Sequence, residues 1–252
     1  MNLKDKKFIL SRPYKVVYQD GNKVVKVFTK EHPKANVFNE ALCQARVEET
    51  GLHIPKVLEV TNIDGEWALV LEYFEGKTLS KLMKETPGET DVLLEKFVDL
   101  QLTMHTKSAP RLTLQKDKLK QKINSLKDTL DASTRYELQT RLDSMPTHTK
   151  LCHGDFNPSN VIVQPDGKMA IVDWSHATQG NASADAAITY LQFALKDQDL
   201  ADRYLRLFCK KSDTAIQYVQ KWLPIVAAAE LTKKDPANTE FLMRWIDVFD
   251  YQ

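Results

Sequence analysis

The chain has 252 residues, of which 42% are hydrophobic and 27% are charged, a composition typical of a folded protein rather than a disordered one. Its 35 basic and 34 acidic residues nearly balance, so it lacks the excess of positive charge that nucleic-acid-binding proteins usually carry. Three widely spaced cysteines indicate no disulfide framework, and no apolar run approaches the length of a membrane helix or has the character of a signal peptide. We therefore expect a cytoplasmic protein without a nucleic-acid or membrane partner.

The first third of the chain has the pattern of a small antiparallel sheet that carries one helix. Asp20-Gly21-Asn22 lies between two runs rich in β-branched residues, which predicts a hairpin. Apolar residues at helical spacing predict a helix from about Pro33 to Thr50, and Gly51 follows where a C-terminal capping glycine belongs. The predicted strands cover residues 15–19, 23–28, 56–60 and 67–73.

From Lys77 onward the pattern becomes helical. Thr90 is predicted to cap a helix that has Phe97 in its apolar stripe. An irregular polar loop at residues 151–160 interrupts the helices, and Pro165-Asp166-Gly167 predicts a hairpin directly after it. The strands of this hairpin are predicted at 161–163 and 170–172, and the remaining helices at 112–130, at 133–142 and from 183 onward.

The irregular loop contains the residue types that phosphoryl transfer requires. Asp155 and Asn160 are separated by four residues, which is the spacing of a kinase catalytic loop. Asp173 ends the second strand of the hairpin, where its carboxylate could reach a metal beside Asn160. Asp and Asn are common in loops because of turn chemistry, so the spacing alone indicates little. The combination with His153-Gly154 and the following hairpin indicates a catalytic site, because packing alone does not require such a loop inside a helical region.

The stretch His153-Gly154-Asp155-Phe156-Asn157-Pro158-Ser159-Asn160, followed by Ile171-Val172-Asp173-Trp174, resembles the aminoglycoside phosphotransferase and choline kinase-like family. This family is a branch of the protein-kinase-like fold. The likeness extends to the N-terminal sheet, to Leu71-Glu72-Tyr73-Phe74-Glu75-Gly76 and to Leu102-Thr103-Met104-His105. It therefore covers most of the chain.

The resemblance implies an α+β, bilobal protein-kinase-like fold. Residues 1–74 would form a small antiparallel-sheet N-lobe that binds the nucleotide, and residues 75–252 a mainly helical C-lobe with the catalytic loop and the acceptor site. The implied activity is transfer of the γ-phosphoryl group of Mg²⁺-ATP or Mg²⁺-GTP to a hydroxyl of a small molecule. An amino sugar, a choline-like compound, a sugar and an amino-acid alcohol all remain open as acceptors. Trp174, Trp222 and Glu230 are candidates for the acceptor pocket.

The resemblance also assigns roles to the residues of the two motifs. Asp155 would be the catalytic carboxylate that orients the acceptor hydroxyl, and Asn160 and Asp173 would hold Mg²⁺. His153 would brace the loop. Asp185 would either tie the loop to the next helix or cap that helix.

Lys26 has two interpretations. It could be a lysine on an edge strand whose ammonium group reaches solvent. A kinase-like fold instead needs a lysine on its third strand to bind the α- and β-phosphates, paired with a glutamate on the next helix. Lys26 lies on that predicted strand, and Glu40 is the expected partner, with Glu48 as the second choice.

The segment from Leu71 to Glu75 would pair with the nucleotide base through backbone groups. Glu72, Tyr73 and Phe74 are therefore expected beside the base. Ile171 is expected to pack beneath it, although ordinary core packing explains this residue equally well.

The loop expected to cover the phosphates departs from the kinase pattern. It should lie near Ser11-Arg12-Pro13-Tyr14, which contains no glycine. Backbone amides approach phosphates best where glycine is present, so we expect the side chain of Ser11 or Arg12 to act instead.

Two other functions stay open. A nucleotide-binding pseudokinase with a regulatory role is one, although such proteins commonly lose one of the four residues Lys26, Asp155, Asn160 and Asp173. A protein kinase is the other, although nothing after Asp173-Trp174 resembles an activation segment that ends in Ala-Pro-Glu.

Overall fold

The computed structural model describes residues 6–246, which divide into two compact units. One unit contains the residues up to Pro87 together with Pro158–Ala177, and the other contains Gly88–Asn157 and the residues from Thr178 onward. The division falls within the predicted catalytic loop, between Asn157 and Pro158. Across residues 6–246 no helix combines the length and the apolar character needed to cross a membrane.

The strands and helices are numbered along the chain. The strands are β1 (Lys6–Arg12), β2 (Lys15–Asp20), β3 (Lys23–Phe28), β4 (Val57–Ile63), β5 (Glu66–Glu72), β6 (Lys77–Thr78), β7 (Lys150–Cys152), β8 (Val161–Val163), β9 (Met169–Ile171) and β10 (Thr178–Gly180). The α-helices are α1 (Lys34–Glu48), α2 (Leu79–Glu85), α3 (Thr90–His105), α4 (Gln115–Ser125), α5 (Ala132–Ser144), α6 (Ala182–Ala194), α7 (Gln198–Ser212), α8 (Ile216–Gln220), α9 (Leu223–Leu231) and α10 (Pro236–Ile246).

Among the described residues, the first unit is built on an antiparallel sheet with the strand order β1-β2-β3-β5-β4. Tight turns with left-handed backbone join the strands of its hairpins. They contain Gly21 (φ 59°) between β2 and β3, and Asp64 and Gly65 (φ 52° and 90°) between β4 and β5. The four predicted strands are confirmed. Strand β1 escaped prediction because its apolar residues, Phe8, Ile9 and Leu10, are consecutive instead of alternating with polar ones. Phe8 and Ile9 are exposed.

Helix α1 covers one face of this sheet. Its residues Val37 and Ala41 form a buried cluster with Phe28 of β3 and with Leu69 and Leu71 of β5. The predicted helix is confirmed to within two residues at each end. Side chains two residues apart on a strand share a face of the sheet. Every second residue of β3, counted back from Phe28, therefore points toward α1.

Residues 77–87 and 158–177 complete the first unit. They form a small antiparallel sheet with the order β6-β8-β9, in which β8 and β9 are the predicted second hairpin. Lys77 and Thr78 are the strand β6, so the helical region begins at Leu79 and not at Lys77. Gly76 has a φ of 155°, and a Cβ there would collide with Val163 of β8, so this position requires glycine.

The second unit is mainly helical, as predicted. Helix α6 is buried along most of its length, and the largest fully buried side chains of the unit include Phe97, Tyr204 and Trp222. Helix α3 begins at Thr90 itself and Glu89 holds the capping position, so the predicted cap at Thr90 was wrong. The helix predicted over 112–130 is shorter and covers only α4, since the chain turns after Ser125.

Candidate active site

Lys26 is the centre of a buried ion-pair network in the first unit. It lies on β3, on the face covered by α1, and is 7% exposed. Its Nζ donates hydrogen bonds to Glu40 Oε1 at 2.6 Å and to Asp173 Oδ1 at 2.8 Å. Burial alone would lower the pKa of Lys26, but the charges of Asp173 and Glu40 outweigh this effect and raise it. A solvent-directed lysine on an edge strand is excluded, because β3 lies between β2 and β5.

The structure decides between the two glutamates proposed as partners of Lys26. Glu40 projects from α1 and is 8% exposed, and it makes the contact. Glu48 has another role, since its Oε1 accepts a hydrogen bond of 2.7 Å from the backbone N–H of Val57. Glu48 therefore joins the end of α1 to the start of β4.

Lys15 belongs to the same network and was missed in the sequence. Its Nζ lies 3.6 Å from Asp173 Oδ1 and 3.8 Å from Glu40 Oε1. The signal was present in the hairpin register: a two-residue turn after Asp20 places Lys15 opposite Phe28. Residues directly opposite in an antiparallel pair share a face of the sheet, so Lys15 projects from the same face as Lys26.

Asp173 adopts a backbone conformation that residues other than glycine seldom adopt, although aspartate tolerates it better than most. Its φ and ψ are 66° and 62°, in the left-handed region. Such strain is concentrated at functional sites. The flanking chain is fixed on both sides: the N–H of Val172 donates to Asn160 O at 2.9 Å, and the indole of the buried Trp174 donates to Ile171 O at 3.1 Å. The backbone bond joins Asn160 to the residue directly before Asp173.

The predicted base-binding segment is partly engaged within its own unit. The N–H of Glu72 donates to Lys56 O, and the N–H of Tyr73 donates to Asn22 O, each at 3.0 Å. The N–H groups of Glu72 and Tyr73 already have partners in the protein. Pairing of backbone N–H groups with a nucleotide base therefore stays a prediction for the residues that follow Tyr73.

Phe74 and Ile171 occupy different environments. The ring of Phe74 stacks on His53, with 4.6 Å between ring centroids, and His53 Nε2 lies 2.6 Å from Gln164 Oε1. Ile171 is 1% exposed, so protein atoms already cover it and core packing accounts for its position. Its predicted contact with a base is untested.

Asp155 lies in the second unit and is held by side chains that were not predicted. Its Oδ1 accepts hydrogen bonds from Gln192 Nε2 at 2.6 Å and from Lys233 Nζ at 3.2 Å. Lys233 also contacts Glu230 Oε2 at 2.6 Å. The N–H of Asp155 donates to His153 Nδ1 at 3.2 Å, which agrees with a bracing role for His153. Lys233 and Gln192 are distant in sequence and follow no local pattern that marks them.

Asp185 ties the loop to the helices around it. It is fully buried in the first turn of α6 and accepts hydrogen bonds from the N–H of Gly154 at 2.7 Å and of His153 at 3.3 Å, while His105 Nε2 lies 3.0 Å away. Burial alone would raise the pKa of Asp185, but the hydrogen bond and charge of His105 and the Gly154 N–H lower it. Asn181 caps α6, so the alternative capping role of Asp185 was wrong.

Two of the acceptor-side candidates are core residues. Trp174 and Trp222 are both fully buried within their own units, so neither offers a surface to a ligand there. Tryptophan is large and apolar enough to fill a core, and the sequence did not reveal which role applied. Glu230, the third candidate, lies in the charged group that contacts Asp155.

Solved structures of known proteins share the fold of this chain. The chain is similar to a solved structure of a thermostable mutant of aminoglycoside phosphotransferase APH(4)-Ia in its apo form, with 15% identity, coverage of 96% of this chain and 91% of that chain, and a TM-score of 0.69. It is also similar to choline kinase LicA from Streptococcus pneumoniae, with 17% identity, coverage of 97% and 94%, and a TM-score of 0.67. No curated protein gives a significant match by sequence.

The structural likeness confirms the predicted fold class. A family model described as the phosphotransferase enzyme family matches residues 9–222, which is most of the chain. The resemblance stated from the loop and hairpin motifs and the predicted enzyme class are thereby confirmed: the chain belongs to the phosphotransferase enzyme family.

Proposed function

We propose that this phosphotransferase is a small-molecule kinase that transfers the γ-phosphoryl group of Mg²⁺-ATP or Mg²⁺-GTP to a hydroxyl group. The observation that carries the proposal is the network in which Lys26 contacts both Glu40 and Asp173. A buried ion pair contributes little stability compared with apolar residues of the same size. A lysine held between two carboxylates beneath α1 therefore serves function better than it serves packing, and phosphate binding is the function that kinases give to this lysine.

The nucleotide phosphates would bind two ammonium groups. Lys26 and Lys15 project from one face of the sheet toward Asp173. The glycine-free turn between β1 and β2 offers little close approach of backbone amides, so Lys15 would supply charge that a glycine-rich loop supplies through its N–H groups. Solved relatives of the same fold contain AMP-PNP with hygromycin B in APH(4)-Ia and AMP in LicA, which supports an adenine nucleotide as the donor.

Asn160 and Asp173 fit a site for Mg²⁺. Both offer hard oxygen ligands, and the backbone bond from Val172 to Asn160 ties Asn160 to the residue directly before Asp173. The carboxylate of Asp173 is partly exposed, with 31% of its side chain accessible. Bound Mg²⁺ would neutralise charge on the phosphates. As phosphates bind Lys26, they replace Asp173 as its partner and leave that carboxylate available as a ligand.

Asp155 would orient the acceptor hydroxyl and take its proton. Gln192 and Lys233 fix one carboxylate oxygen, and the bonds from Asp185 to the loop backbone fix the main chain. Since phosphoryl transfer depends mainly on positioning and electrostatics, this double restraint suits the role. The presence of all four residues, Lys26, Asp155, Asn160 and Asp173, supports an enzyme over a pseudokinase.

The test is acceptor-dependent release of nucleoside diphosphate. The protein is incubated with Mg²⁺-ATP or Mg²⁺-GTP and with pools of amino sugars, amino alcohols, sugars and hydroxy acids. We expect one pool to stimulate release by the wild type and not by Asp155→Asn. Asp166→Asn, the same change at an exposed turn, is the matched control and should keep wild-type activity. Equal turnover by Asp155→Asn and the wild type would refute the assignment.

A further inference from the structure

A charged group around Asp155 bears on the chemistry of the acceptor. Lys233 Nζ contacts Glu230 Oε2 at 2.6 Å and Asp155 Oδ1 at 3.2 Å, and Lys122 Nζ lies 3.8 Å from Glu230 Oε1. We call these four residues the acceptor-side cluster. Their charges alternate in sign along the series, and all four belong to the second unit.

The two lysines of this cluster differ in how well their charge is compensated. For Lys233, burial alone would lower the pKa, but Glu230 and Asp155 outweigh it and raise the pKa. For Lys122, burial and the nearby charge of Lys233 lower the pKa, and the attraction of Glu230 and Asp155 does not restore it. Its ion contact at 3.8 Å exceeds the length of a hydrogen bond. Lys122 is therefore a partly buried ammonium group, and Glu230, its ion-pair partner among the described residues, lies beyond hydrogen-bond distance.

A ligand can reach the cluster. The accessible fractions of the side chains are 24% for Asp155, 25% for Lys122 and 40% for Lys233. Glu230 offers one oxygen to each lysine and so holds two ammonium groups on the side of the unit where Asp155 is exposed. An ammonium group has three donors, and the contacts of Lys233 with Glu230 and Asp155 use two of them.

We propose that the acceptor carries an anionic group, a carboxylate or a phosphate, which binds Lys122 and Lys233 while its hydroxyl lies at Asp155. The inference rests on the proposed function, which places the acceptor at this carboxylate. A cationic acceptor would have to displace Lys233 from two carboxylates and would be repelled by Lys122. An anion can bind without displacing either lysine from its carboxylates, and it supplies a closer anionic partner for Lys122 than Glu230 does.

The reaction balances with this acceptor. The acceptor oxygen forms a bond to the γ-phosphorus, the bond from that phosphorus to the bridging oxygen breaks, and the nucleoside diphosphate leaves with the electron pair. Asp155 takes the hydroxyl proton. The anionic group of the acceptor stays unchanged and serves only to hold the hydroxyl in place.

Calorimetry without nucleotide tests the inference independently of turnover. Probes that share a hydroxyl-bearing skeleton are titrated: glycerate and glycerol phosphate as anions, glycerol as the neutral compound, and choline as the cation. We expect one of the anions to bind the wild type, and the choice between them identifies carboxylate or phosphate. Lys122→Met and Lys233→Met should each weaken this binding by about tenfold or more.

Controls separate charge from folding and from the other unit. Lys120→Met removes an exposed lysine of the same helix, which pairs with Asp143, and should leave the affinity unchanged. Lys122→Arg keeps the charge and should restore most of the binding, even where Lys122→Met unfolds. Loss of anion binding in Lys26→Met but not in Lys122→Met would place the anion elsewhere and overturn the inference.

The remaining outcomes are also decisive. The inference is overturned if choline binds more tightly than the anions, if no anion binds, or if both methionine variants keep wild-type affinity. Anion binding without any nucleotide turnover would leave it standing as a binding site and would contradict the proposed kinase activity. Turnover of cationic acceptors alone would support the proposed kinase activity and would overturn the inference of an anionic acceptor.

Discussion

Lys26 and Asp173 share a hydrogen bond of 2.8 Å although they lie 147 positions apart in the chain. The contact exists because the segment that follows β9 packs against α1, within a single compact unit. It joins the lysine proposed to bind phosphate to the carboxylate proposed to bind metal. In the proposed function, the phosphates of the nucleotide would replace Asp173 as the partner of Lys26, and Asp173 would then be available to hold Mg²⁺.

Replacement of Lys26 should remove most of the activity. In Lys26→Met the phosphates lose their buried cation, so we expect kcat/KM to fall by the equivalent of about 3 kcal/mol, the usual effect of losing one such electrostatic group. Steady-state kinetics with varied nucleotide measures the effect. Lys23→Met takes the same charge from the opposite face of β3 and should have little effect. Similar losses in the two variants would contradict a specific role for Lys26.

Replacement of Lys15 should affect nucleotide binding more than the chemical step. Lys15 contacts Glu40 and Asp173 at longer distances than Lys26 does, so its phosphate contact is expected to be weaker. We expect Lys15→Met to raise the nucleotide KM by about tenfold with a smaller change in kcat, as for a hydrogen bond to a charged group. An unchanged KM would show that another group replaces the missing glycine-rich loop.

Replacement of Gln192 should affect kcat and leave nucleotide binding intact. Gln192→Leu keeps the approximate volume and removes the 2.6 Å hydrogen bond to Asp155. Since the carboxylate would then be less well oriented, we expect kcat to fall by about tenfold while the nucleotide KM stays constant. Gln198→Leu, at the start of α7, is the control for loss of an amide. A raised KM with normal kcat would show that Gln192 serves binding instead.

Asp185 should contribute stability that depends on pH. The folded-state pKa of Asp185 lies below its usual value of 3.8, so its ionised form stabilises the fold fully above that value. This contribution is lost as the pH falls through the lowered pKa. Asp185→Asn breaks a buried charge network, so we expect it to cost about 3 kcal/mol at neutral pH.

Urea unfolding at neutral pH and in acid measures this effect. The difference in the free energy of unfolding between the wild type and Asp185→Asn should shrink as the pH drops below 3.8. Asp166→Asn, at an exposed turn, should show neither the loss nor the pH dependence. A difference that stays constant into acid would mean that Asp185 acts through packing and not through its charge.

The features that depend only on neighbouring residues could be predicted from the sequence. The hairpin turns and strands of the first unit, and the loop with Asp155, Asn160 and Asp173, follow from neighbouring residues. The pairing of Lys26 with Glu40 needed the family resemblance, because no spacing rule links a strand residue to one particular position on the next helix.

The parts that escaped prediction depend on contacts between distant elements. Lys233 lies 78 positions from Asp155, in the connection between α9 and α10, and nothing in its neighbourhood marks it. Lys15 is intermediate: the hairpin register would have revealed it, but a lysine at the start of a strand ordinarily faces solvent. The error at Trp222 has the opposite cause, since its size favours burial over ligand contact.

Calorimetry of nucleotide binding with and without Mg²⁺, on the wild type and on Asp173→Asn, tests the central claim most directly. We predict that Mg²⁺ strengthens ATP or GTP binding to the wild type. In Asp173→Asn this dependence on Mg²⁺ should disappear. Nucleotide binding without metal should be kept, because Lys26 no longer pairs with a carboxylate at position 173 and can still bind the phosphates. Equal dependence on Mg²⁺ in both proteins would contradict the metal site, and no binding of either nucleotide to the wild type would contradict the kinase function.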